Sequence, residues 1–266
     1  MTGSTEVFVL GARGSIPAAG ADFARYGGHT TAFALSVGDD LVAIVDAGTG
    51  IVRLNHHGFT LPPVVSVIFT HYHWDHIQGL SMFRSLWQGE HEFCFHGPNS
   101  PQEALTGAIR PPWFPVALEN TACVTSFRSP GGPFQLGEVT VTAFPVNHPQ
   151  GAFGYRFDSS TGSLALVTDH ESTSDADDVI AASIEGVDVL LHDAQYLPEE
   201  YESHRGWGHS TWEHATTMAE RIGVDRLFLT SHGPERTDHE IDLLVADAKE
   251  QFDATGAARE GLRIGF

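Results

Sequence analysis

Lysine is almost missing from this chain: Lys249 is the only one in 266 residues. With arginine counted, 14 basic residues face 34 acidic ones, for a net charge of −20. A face that grips nucleic acid nonspecifically needs a basic stripe, because counterion release at phosphates drives such binding. No stripe is present, so nucleic acid is not an expected partner. The acidity reads as a solvated surface, with a salt-adapted host as the alternative. Cysteine is equally scarce, since Cys94 and Cys123 are too few for a disulfide framework or a Cys-rich structural zinc site. No apolar run is long enough to span a bilayer, which leaves no membrane partner to expect. The opening Met1-Thr2-Gly3-Ser4-Thr5-Glu6 lacks the basic-then-apolar pattern of an export signal, and a cytoplasmic location is expected. No repeat, low-complexity tract or linker interrupts the chain, so one domain over residues 1–266 is expected.

What is present is histidine, 16 residues of it. Three fall in Thr70-His71-Tyr72-His73-Trp74-Asp75-His76, the stretch around which the rest is organised. The apolar run Val64 to Phe69 before it reads as a buried strand. After it, the apolar positions of Ile77 to Gln88 suit a helix with one apolar face. In an extended turn His71 and His73 point the same way, because side chains repeat every two residues. Asp75 and His76 then face a second point, so the turn suits two adjacent divalent metals. Imidazole nitrogen and carboxylate oxygen are ordinary zinc ligands, with manganese or iron as further choices. A His-rich surface turn that binds metal by accident is the alternative.

Elsewhere strands end repeatedly on polar residues. Val139–Val146 leads to His148, Leu164–Val167 to Asp169, Val187–Leu191 to His192-Asp193, and Arg226–Thr230 to Ser231-His232. Residues 32–37 and 41–45 read as a hairpin closing on Asp46. Helices are expected over residues 101–109, 212–222 and 238–252. Arg110 to Pro115 reads as a rigid aromatic loop that either walls a pocket or packs onto the core.

His71-x-His73-x-Asp75-His76 resembles the signature of the metallo-β-lactamase superfamily of binuclear metallohydrolases. Gly11-x-Arg13-Gly14-Ser15-Ile16-Pro17, His192-Asp193-Ala194-Gln195 and Gly208-His209-Ser210-Thr211 resemble motifs of its RNase Z and cyclic phosphodiesterase branch. The resemblance implies an α/β fold, the four-layer αβ/βα sandwich. It implies His71, His73 and His148 on one metal and Asp75, His76 and His232 on a second, with Asp169 bridging. The resemblance also puts Asp46 just behind the ligands of that site, and the Gly11–Pro17 loop close to it. Asp193 and His209 are implied as a carboxylate–imidazolium pair that protonates the leaving oxygen, although Asp193 stands where the branch has glutamate. Two metals stabilise a shared hydroxide near neutral pH, the nucleophile that Asp75 can orient.

Only 21 residues separate His148 from Asp169, which leaves no room for the long tRNA-gripping arm of bacterial RNase Z. The expectation is a phosphodiesterase on a small phosphodiester, cyclic ones included, with two divalent metal ions, zinc in the first instance. The alternatives are an armless RNase Z-like tRNA 3′-processing endoribonuclease, a lactone or thioester hydrolase, and a metal-binding sensor module without turnover. Oligomeric state is left open.

Overall fold

The structure, a computed structural model, describes residues 3–266. Met1 and Thr2, which open the segment read above for an export signal, lie outside the described residues. The first sheet holds β1 (Thr5–Gly11), β2 (Ala32–Val37), β3 (Asp40–Val45), β4 (Val64–Ile68), β5 (Glu92–His96) and β6 (Thr125–Arg128). The second holds β7 (Phe134–Leu136), β8 (Val139–Val146), β9 (Ala152–Asp158), β10 (Ser163–Val167), β11 (Val189–Asp193), β12 (Arg226–Thr230) and β13 (Thr255–Ala257). A last strand, β14 (Arg263–Gly265), returns to pair with β1. The orders are β14-β1-β2-β3-β4-β5-β6 and β13-β12-β11-β10-β9-β8-β7. Both sheets run antiparallel at one end and parallel at the other, from β3 to β6 and from β10 to β13.

Consecutive apolar residues in β1 are explained by burial on both faces. Val7 and Val9 join Phe33, Leu35, Tyr155, Phe157, Leu164 and Leu166 in the core between the sheets. Phe8 and Leu10 face outward into a second core, closed by α1 (Trp74–Ile77), α2 (Ser85–Gln88), α3 (Pro101–Ala108) and the turns beside them. The outer face of the other sheet packs on α4 (Ser174–Ser183), α6 (Trp212–Ile222) and α7 (Asp238–Gln251), with the short α5 (Pro198–Tyr201) between. Helix, sheet, sheet, helix is the four-layer αβ/βα arrangement.

Two local expectations need correction, and the loop left with two readings takes one of them. The helix over residues 77–88 is split into α1, a 3-10 turn at Leu80–Met82 and α2. Gly79 forces the break: its amide donates to the Ala47 carbonyl, and a Cβ there would lie 2.0 Å from the Gly48 oxygen. The chain presses against the turn carrying Asp46, so tertiary contact overrides the helical period. His192 and Asp193 lie inside β11, not beyond it. The loop at residues 110–115 packs by stacking Phe114 on Trp87, 5.9 Å between centroids, and does not line the cleft described below. No helix among the described residues is long and apolar enough to cross a membrane.

Candidate metal centre and active site

Strand ends deliver nearly every polar group to one place. β3 ends at Asp46, β4 at the Thr70–His76 turn, β8 at His148, β10 at Asp169, β11 at Asp193 and β12 at Ser231. Ligands in α/β sheets commonly bind at the carboxyl ends of strands. Here a cleft of about 400 Å³ opens, lined by Ser15, Tyr72, His73, Trp74, Asp75, His148, Asp169, Gln195, Trp207 and His209. A larger cavity of about 850 Å³ lies away from these groups, along β7 and the segment at residues 60–64.

His148 donates from Nδ1 to the Gly208 carbonyl at 2.8 Å, which leaves a lone pair on Nε2. His73 bonds through Nε2 to Gln150 Oε1 at 2.8 Å, which makes Nδ1 its bare nitrogen. Those two nitrogens lie 3.0 Å apart, and with each ring's proton committed to its oxygen partner neither donates to the other. His71 adds a buried Nε2 that has no hydrogen-bond partner. Burial, followed by repulsion from neighbouring imidazoles, holds His71 well below the ordinary histidine pKa. Burial lowers His148 as well, so both stay in the neutral form a metal requires. Three lone pairs converging without a donor make a fitting cradle for a cation.

His76 sits beside them, its ring centroid 4.1 Å from that of His71. Its Nδ1 donates to Asp46 Oδ2 at 2.8 Å, and Asp46 is itself held by the Thr70 amide and hydroxyl. A carboxylate behind the imidazole fixes its tautomer and orientation. On the other side, His76 Nε2 meets Asp169 Oδ2 at 3.1 Å and Asp75 Oδ2 at 3.3 Å. Burial opposes charge on His76, but Asp169, Asp75 and Asp46 outweigh it and raise its pKa well above the ordinary value. Positive charge is favoured at this point, whether a proton or a metal carries it. Asp169 also lies 3.6 Å from His71 Nε2, between the two groups. Despite burial, the nearby histidines depress its carboxyl well below the usual range.

The Asp193–His209 pair forms across the same cleft, Oδ2 to Nδ1 at 2.7 Å. Burial lowers the His209 pKa, and the fields of Asp193 and Asp169 more than reverse that, to about 9. The loop at Gly11–Pro17 also reaches the site, where the Ser15 amide donates to Asp75 Oδ2 at 2.8 Å.

His232 is the exception. Its Nε2 donates to the Ala258 carbonyl at 2.9 Å and its ring packs edge-on against Tyr26. The charged groups acting on it are Arg13 and Arg236, not the carboxylates of the site. Burial takes it to about 4. The neighbouring Ser231 meets the centre instead, its Oγ donating to Asp169 Oδ1 at 3.2 Å. His232 is therefore not among the residues that the structure gathers into metal-capable groups, where the resemblance implied it. Among the described residues, those that close the metal-capable groups are His71, His73, His76, His148, Asp169, Asp193 and His209. Sequence reasoning missed Ser231, Gln150 and the cleft-lining role of Trp207. The first two have left-handed backbone, which nothing in their residue types announces.

A model of the β-lactamase superfamily domain matches residues 43–232, well over half of the chain. This chain belongs to that superfamily. Among curated superfamily relatives, Ribonuclease BN of Cronobacter sakazakii is 25% identical over 273 residues, covering 83% of this chain and 88% of that protein. The metallo-β-lactamase fold protein YhfI of Bacillus subtilis superposes with a TM-score of 0.79 at 20% identity over 100% of both chains. A diphosphatase of the PhnP family superposes with a TM-score of 0.72 at 20% identity over 98% of both. The superfamily and the clustered His and Asp groups identify the chain as a metal-dependent hydrolase.

Proposed function

We propose that this hydrolase is a phosphodiesterase acting on a small phosphodiester. His71, His73 and His148 would hold one divalent cation and Asp75 and His76 a second, with Asp169 available to either. Such cations supply Lewis acidity and an activated water. The protein's own part begins with Asp75, whose Ser15 hydrogen bond fixes the carboxylate at the cleft floor. His209 carries a proton at neutral pH because Asp193 and Asp169 stabilise it. It passes that proton to the departing alkoxide oxygen, and Asp193 holds the ring in the orientation required. Trp74 and Trp207, 58% and 64% exposed, flank the cleft and offer faces for a ring on the substrate.

The Asp193–His209 pair is the observation that carries this reading. An unactivated phosphodiester needs its leaving oxygen protonated, whereas a thioester's thiolate leaves readily without help. The test is a panel of linear and cyclic phosphodiesters, thioesters and lactones, assayed with metal-loaded protein. His209→Ala should keep its metals and lose about 10²–10⁴-fold in phosphodiester turnover. An activated aryl ester should lose far less. Equal losses on both would remove His209 from the acid role. Processing of tRNA 3′ ends is the second reading, favoured by the likeness to a protein named Ribonuclease BN.

A further inference from the structure

We infer that the two metal positions are unequal: a nitrogen-rich position on His71, His73 and His148 that binds its cation tightly, and an oxygen-rich position on Asp75, His76 and Ser231 that exchanges it. The inference rests on the metal assignment above and goes beyond it in ranking the positions. The second imidazole that the resemblance implies for the latter is His232, and its hydrogen bonds hold it elsewhere. The His232 amide donates to Ala12, its carbonyl accepts from Gly14, and its ring nitrogen donates to Ala258. Ser231 Oγ lies on Asp169, while the charged neighbours of His232 are Arg13 and Arg236, so the two side chains serve different surroundings.

Ser231 is fully buried and has φ of 56°, a left-handed conformation that serine adopts at a cost. That turn directs its hydroxyl to Asp169. Each position then has a different chemistry. Three imidazoles and a carboxylate match zinc, whereas carboxylates, a hydroxyl and one imidazole suit a harder ion such as manganese. A neutral hydroxyl is also a weak donor, and fewer strong protein ligands leave a coordination place open to solvent or substrate.

The experiment is a titration of metal-free protein with Zn²⁺ against a chromogenic chelator, with circular dichroism as a check on folding. Two steps separated by at least about tenfold in affinity are expected, since ligand charge and number set cation affinity. Mn²⁺ added to protein carrying one equivalent of Zn²⁺ should occupy the open position without displacing the zinc. Ser231→Asp should strengthen the weaker step by about tenfold or more and leave the tighter one alone. His232→Gln, which keeps a donor for Ala258, should leave both steps in place. Two equal steps in the wild type, or loss of the weaker step in folded His232→Gln, would overturn the inequality. Absence of binding in every variant would instead overturn the metal assignment on which it rests.

Discussion

Among the described residues six non-glycine ones have left-handed backbone, and five of these, Ser15, Asp46, Gln150, Asp169 and Ser231, touch the centre, whereas Asn99 does not. Each such residue costs on the order of 1–3 kcal/mol, so their concentration here marks a site bought with stability. Gly208 shows the same constraint from the other side. Its φ is +85°, and a Cβ there would lie 2.2 Å from His148 Nδ1. Gly208→Ala should therefore tilt His148 and weaken metal binding by about 10–100-fold, as read by chelator competition. The His209 pKa of about 9 sets an alkaline limit, because the acid is protonated only below it. Cations beside Asp169 would consume part of the field that raises it, so the limb in the loaded enzyme should lie below about 9. Turnover of an unactivated diester should fall as pH rises through that limb, while an aryl ester with a good leaving group stays level. A pH profile identical for both would contradict the assignment. The stability sign is the same: the contribution is full below the ordinary histidine value of about 6.5 and lost as pH rises through about 9.

Among elements, the loop after β1 is tied to the loop after β12 by one buried side chain. Arg13 is 1% exposed, and it donates from Nε to the Gly27 carbonyl and from Nη1 to those of Gly233 and Arg236. Arg13→Met would strand three carbonyls, and the expected loss is roughly 3–5 kcal/mol by urea denaturation. The strand-then-polar-residue pattern was legible because each parallel strand is buried on both faces and so reads as a continuous apolar run. The turn after β4 is legible because its four candidate ligands, His71, His73, Asp75 and His76, fall within six consecutive positions. Three short strands, β7, β13 and β14, were not, since three residues carry no period of their own. The broken helix after α1 depends on Gly79 meeting Gly48, 31 residues earlier, a contact no local window contains. The role of Ser231 is hidden from the sequence for a similar reason. Beside a histidine it is the less obvious ligand, and only the backbone turn decides which of the two faces Asp169.

At the scale of the whole molecule, charge separates the two phosphodiester readings. The chain carries a net −20, and many of its few cations are already committed. Arg13, Arg25, Arg53, Arg156, Arg205, Arg221, Arg236 and Arg263 each pair with a carboxylate of the chain itself. An RNA would have to break those pairs or do without them, and each phosphate contact it did make would weaken with salt. Surface repulsion extends only about 8 Å at physiological ionic strength, so it acts on a long polyanion along its whole length. A small phosphodiester meets mainly the local charge of the centre, where the cations offset its own. Hydrolysis of small phosphodiesters should therefore persist across a salt series, with precursor tRNA cleaved poorly at physiological salt. One metal-loaded preparation assayed on both substrates makes the comparison. Efficient tRNA cleavage that tolerates salt would mean that the RNA is held by base stacking or shape, and would move the assignment to the nuclease.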